Sequence, residues 1–201
     1  MRGEVWMPLA RRYAAWGIPL IVVAAACLVY MVLTSGYAWS KHSAIMRSAP
    51  FQEGATIYSS SEPDRNVIVW RTADNTAYAK VLASKWGKYR VLVSSQLAPQ
   101  WDNPALKRTW ATFKAGHGTN RFVAAVQEDN PAIATIIVSN DNIDDVVLTD
   151  LNDIRSSSTL YMELTLDNGY AAGTAESPST GPGGIVFREL DRKGRIVSVG
   201  R

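Results

Sequence analysis

From Tyr13 to Ser40 the chain carries no charged side chain, and the run from Gly17 to Leu33 within it is almost wholly apolar. As a helix rising about 1.5 Å per residue, these seventeen residues reach roughly 26 Å, and the uncharged flanks complete a crossing of a hydrocarbon core about 30 Å thick. The stretch predicts one transmembrane anchor over residues 13–40. Pro19 falls near the helix start, where a missing amide hydrogen costs little because first-turn donors lack intrahelical partners. Tyr13 and Trp16 at one end, with Tyr37 and Trp39 at the other, stand where amphipathic rings meet the two membrane interfaces. Cys27, the only cysteine, then reads as a small apolar residue within the bilayer.

Arg2, Arg11 and Arg12 precede the run, while Lys41 and Arg47 follow it. This bias predicts a cytoplasmic amino-terminal tail over residues 1–12 and an extracytoplasmic carboxyl-terminal region at the cell membrane. Two rivals are weaker. A signal cut at Gly36-Tyr37-Ala38 has small residues in suitable places, but the apolar run exceeds the usual 7–15 residues. Lipid attachment at Cys27 would leave the apolar Leu28-Val29-Tyr30-Met31 with no natural environment.

Beyond Pro50, which is expected to stop a short helical continuation over 41–50, the periodicity turns from helical to alternating. Asn66–Thr72, Ala77–Lys85 and Tyr89–Ser95 are rich in Val and Tyr and are separated by turn formers, which predicts a three-stranded antiparallel meander. Residues 41–98 thus read as a juxtamembrane segment with a β-meander. Residues 99–108, with Pro99 and Pro104, read as a linker or a short helix. After it, eight strand-like runs about ten residues apart predict an antiparallel sandwich-like domain over 109–201. Asn168-Gly169 suits a tight hairpin turn and Gly194 a second one. The fold class expected is mainly β behind one transmembrane helix.

At this level the chain resembles small single-pass membrane-anchored surface proteins of Gram-positive, spore-forming bacteria. The resemblance rests on the apolar segment, on "NVIVWRTADNTAYAKVLASKWGKYRVLVSS" with its aromatic-Gly-Lys-aromatic turn, and on the terminal "VFRELDRKGRIVSVG". It implies location and a β-rich body and supplies no catalytic residue. The Gly-Pro loop within "ESPSTGPGG" is foreign to that pattern.

Charge is distributed unevenly. Residues 41–121 hold 12 Lys/Arg against 5 Asp/Glu, a balance of +7, and residues 122–201 hold 6 against 12, a balance of −6. The basic half would lie nearest the bilayer, so Lys80, Lys85, Lys88 and Arg90 are candidate contacts for anionic lipid headgroups or an anionic wall polymer. Trp86 and Tyr89 beside them also suit nucleic-acid stacking, but an outward-facing domain would rarely meet nucleic acid.

Catalytic signals are sparse. His42 and His117 have no partners at zinc-ligand spacing, no nucleophile elbow occurs, and the serines at 59–61 and 156–158 have loop composition. In "SNDNIDDVVLTDLND", Asp141, Asp144 and Asp145 are the candidate cation ligands, although the run fails as an EF-hand: counted from Asp141, its sixth position is Val146 rather than Gly. No cofactor is expected. The chain therefore reads as a non-enzymatic binding or structural module of the cell envelope, with an envelope protein as a further possible partner class. Two alternatives stay open: an accessory subunit of an envelope secretion or conjugation machine, and an envelope glycan-active enzyme using carboxylates.

Overall fold

The computed structural model describes residues 19–30, 36–62, 65–99, 103–114, 120–141, 149–177 and 181–200. Residues 19–30 form a helix, α1, whose side chains are all exposed and uncharged. Among the described residues no helix is long and apolar enough to cross a membrane. Pro19 and Cys27 lie on α1, whereas Trp16 and the remaining apolar residues at 31–35 lie outside the described residues.

The helical continuation expected over 41–50 is replaced by a fresh start. Ala38 first makes an isolated β-bridge, and Ser40 then caps a new helix, α2 (Lys41–Met46), by accepting from the Ser43 amide at 3.1 Å.

Among the described residues, three antiparallel four-stranded sheets follow. The first holds β1 (Gly54–Glu62), β2 (Arg65–Thr72), β3 (Ala77–Lys85) and β4 (Lys88–Gln96) in simple meander order. The three expected strands are present, and β1 adds a fourth that its Ser-rich sequence disguised. Ser59, Ser60 and Ser61 are therefore ladder residues, paired with Ile68, Val67 and Asn66, rather than a loop.

The second sheet draws on β5 (Ala98–Pro99), β6 (Leu106–Lys114), β7 (Asn120–Glu128) and β10 (Tyr170–Glu176), in the order β10-β7-β6-β5. The third has β8 (Ile133–Ser139), β9 (Tyr161–Thr165), β11 (Val186–Asp191) and β12 (Ile196–Gly200), in the order β12-β11-β8-β9. Of the eight runs expected after the linker, seven are strands. The run 144–150 falls largely outside the described residues, and a short helix, α3 (Leu151–Ser157), follows it.

The sheets stack in three layers, with the second in the middle. Val67, Val69, Ala79 and Val81 of the first sheet pack against Val123, Ala125 and Ala172 of the second. On the opposite face, Phe122, Ala124, Val126 and Ala171 pack against Ile136, Val138 and Phe187 of the third. A middle strand must bury both faces, which is why β7 reads as five consecutive buried residues and why β7 and β10 are Ala-rich. The segment 99–108 supplies the second residue of β5 and the start of β6, and the cluster joining the first two sheets spans strands on both sides of it. The outer face of the first sheet is covered by α2, through Ala44 and Ile45 against Ile68, Trp70 and Leu82.

The Asn-Gly turn forms as expected but closes no hairpin within one sheet: it passes the chain from β9 in the third sheet to β10 in the second, with one isolated bridge between Asp167 and Tyr170. Asn168 and Gly169 take φ of 50° and 80°, two successive left-handed residues as a type I′ turn requires.

Candidate membrane-facing surface

Among the described residues, Ala38 bonds the chain that follows α1 to the first sheet. Ala38 donates its amide to the Tyr89 carbonyl at 2.7 Å and accepts from the Tyr89 amide at 2.8 Å, and it is only 1% exposed. Tyr89 is the second residue of β4, next to the β3–β4 turn, and its ladder partner across the hairpin is Ser84.

That turn is Trp86-Gly87, with φ of 51° and 71°. Left-handed conformation is natural for glycine and unusual for a bulky residue. Trp86 is nonetheless held there with 88% of its surface exposed. Lys85 and Lys88 are directly paired across the hairpin, and each places its ammonium over an indole: Lys85 Nζ lies 4.8 Å from the Trp86 ring and Lys88 Nζ 4.5 Å from the Trp39 ring. Trp39, the neighbour of the bridged Ala38, is itself 70% exposed. Lys41 Nζ stands 5.9 Å from the Tyr89 ring, and Gly36 backs onto Arg90, since a Cβ there would meet Arg90 Nε at 3.8 Å. Trp39, Lys88, Lys85 and Trp86 thus follow one another beside the Ala38–Tyr89 bridge.

Of the four basic residues expected to act together, Lys85, Lys88 and Arg90 do lie at this end. Lys80 does not. It points to the α2 side of the first sheet and is fully buried, bonded through Nζ to Ser48 Oγ at 2.7 Å and to the carbonyls of Ala49 at 3.0 Å and Ile45 and Ser48 at 3.4 Å. Burial lowers its pKa to about 8. Strand alternation explains the separation: Lys80 shares a face with Leu82, which α2 covers, whereas Lys85 lies beyond that cover.

Asp141 is likewise corrected. It is 1% exposed, and its carboxylate is occupied by Arg188 and by the Ser139 hydroxyl, which donates at 2.6 Å. A carboxylate neutralised by a guanidinium has no charge left for a cation. Asp144 and Asp145 lie outside the described residues, as does His117. No group of three His, Cys, Asp or Glu suited to a metal occurs among the described residues. His42 packs edge-on against Trp70, with ring centroids 5.8 Å apart.

Two carboxylates come together between the second and third sheets. Burial and the neighbouring Glu128 charge push the Glu189 carboxyl up, and Asn103 Nδ2 donates to it. Both acids are buried, at 3% for Glu128 and 6% for Glu189. A groove of about 400 Å³ opens where the edges of β1, β9 and β10 converge. Its acidic side chains are engaged, Glu62 by Arg121 and Thr174, and Glu163 by Arg155 and Tyr161.

No protein-family model matches the chain, and neither a curated protein nor a solved structure matches it. Trp86 is the residue that sequence reasoning undervalued. Its signal was a Trp-Gly pair between two alternating runs, where Asn-Gly or Asp-Gly is the ordinary choice.

Proposed function

We propose that the chain is a non-enzymatic, single-pass membrane protein of the cell envelope, in the manner of the surface proteins it resembles. The uncharged segment that begins at Tyr13 holds it in the bilayer and ends where Ala38 joins the body, with residues 1–12 in the cytoplasm. The three-layer β body works outside as a binding or structural module, facing anionic headgroups with its basic half. The observation that carries this reading is the Ala38–Tyr89 bridge. It makes the residues directly after the apolar segment part of the folded body, so cleavage after Ala38 would strip a bonded residue from the first sheet. It also sets Lys85, Lys88 and Arg90 beside the entry point of the tether, where each basic residue near an anionic leaflet gains on the order of 1 kcal/mol.

Protease treatment of intact cells or protoplasts, combined with the intact mass of the mature chain, tests the reading. Digestion of the body from outside and a mass that retains residues 13–40 are expected. A body protected until the membrane is opened, or a mature chain starting beyond Ala38, would overturn it.

A further inference from the structure

We propose that the β3–β4 tip, with Trp39, is a second membrane contact. Trp86 and Trp39 seat in the headgroup layer of the bilayer that holds the anchor, and Lys85, Lys88 and Arg90 meet anionic lipid phosphates. The proposal rests on the anchored reading above and adds to it a fixed orientation of the body, set by two attachments rather than one.

Three observations converge on this surface. The tip breaks local rules twice: a tryptophan occupies a left-handed position, and Lys85 and Lys88 stand directly opposite each other, an arrangement that like charges disfavour. Neither choice helps the hairpin, and local inconsistency of this kind concentrates where a surface has work to do. Next, the composition suits one environment. Exposed indoles flanked by ammonium groups match the interfacial layer, where an aromatic ring with a polar edge and a basic chain that reaches upward are both favoured.

Finally, the surface is continuous with the apolar segment. Ala38 stands eight positions after the last described residue of α1, Tyr30, and is bonded to Tyr89, three positions after Trp86. A tether that emerges beside the tip keeps the tip near the bilayer, and a contact made within a tethered molecule needs little affinity of its own because its effective concentration is high. A soluble protein partner would gain nothing from that placement.

The test uses the full chain with Cys27→Ala, reconstituted into vesicles of phosphatidylcholine with phosphatidylglycerol. One environment-sensitive dye is placed at Ser84→Cys, beside the tip, or at Val197→Cys, an exposed position on β12 in the far layer. The Ser84 dye is expected to shift to the blue and to be quenched by nitroxide lipids labelled near the headgroup. The Val197 dye should show neither change, and Trp86→Asn should abolish the Ser84 response while the chain still floats with the vesicles.

A floating chain whose Ser84 dye is as water-exposed as its Val197 dye overturns the second contact alone. A chain that does not float overturns the anchored reading and this proposal with it. A Ser84 response to soluble polyphosphate with vesicles of phosphatidylcholine alone, and none to phosphatidylglycerol, overturns the lipid assignment in favour of a polymer.

Discussion

Arg188 and Asp141 form a two-pronged ion pair inside the third sheet, with Nη2 to Oδ2 at 2.6 Å, Nη1 to Oδ1 at 2.9 Å and both side chains fully buried. Such a pair costs a great deal to break from one side and little to replace whole. Asp141→Asn should destabilise by about 3 kcal/mol, because it removes a charge paired with a buried guanidinium, whereas Asp141→Leu with Arg188→Met should recover most of the loss. Urea unfolding of the full chain in detergent micelles measures both. Burial pushes the Asp141 carboxyl up, but bonds from Arg188 and Ser139 and the guanidinium charge outweigh it and hold the group below the usual carboxylate range. Its contribution is therefore complete above about pH 4 and is lost as pH falls through the lower folded value.

Lys80 predicts the opposite kind of pH dependence. Its pKa is about 8 in the folded chain, against an ordinary value of 10.5, so between those values the unfolded chain binds more protons. Stability should therefore rise with pH across that window, by up to about 3 kcal/mol. Lys80→Met removes the titrating group. Denaturation midpoints at pH 7.5 and pH 10 should rise less in this variant than in the parent, and equal slopes would refute the assignment.

Among the described residues Glu128 Oε2 is buried with no donor, and it stands beside Glu189, whose carboxyl is pushed up by burial and by the Glu128 charge. A proton held on Glu189 supplies that donor. A raised carboxyl contributes stability below the unfolded value, which is lost as pH rises through the folded one. Glu189→Gln keeps an acceptor for Asn103 and offers an N–H to Glu128, so it should stabilise the chain by about 1 kcal/mol at pH 7. The gain should shrink at pH 4.5. Thermal unfolding at both values checks the pattern.

Trp86→Asn should separate stability from surface activity. Relief of a left-handed tryptophan gains about 1–2 kcal/mol, and loss of the Lys85 contact removes about 0.5–1 kcal/mol. Equal or slightly higher unfolding stability is the expected result. A variant less stable than its parent by more than about 1 kcal/mol would show that the indole is held by packing, contrary to its exposure.

Strand positions were legible wherever a run alternated or was bounded by turn formers. Residues 77–85 are β3 to the residue, and Asn168-Gly169 turns as its composition predicts. β1 was not legible, because its serines lie on an edge strand with little apolar face to mark them. The candidate surface was half legible. Lys85, Lys88, Arg90 and Trp39 stood out by type, but composition could not tell Lys80 from its neighbours.

The sequence by itself determined that the chain is mainly β behind an uncharged apolar segment, because period, turn chemistry and the absence of charge are local properties. Tertiary structure alone decided which charges remain available. Stacking the sheets buried Glu128 and Glu189, laying α2 across the first sheet buried Lys80, and pairing with Arg188 engaged the buried Asp141. The same packing brought Ala38 to Tyr89 and so placed Trp39, Lys88, Lys85 and Trp86 together. Burial and partnership depend on residues distant in the chain, which no local pattern contains.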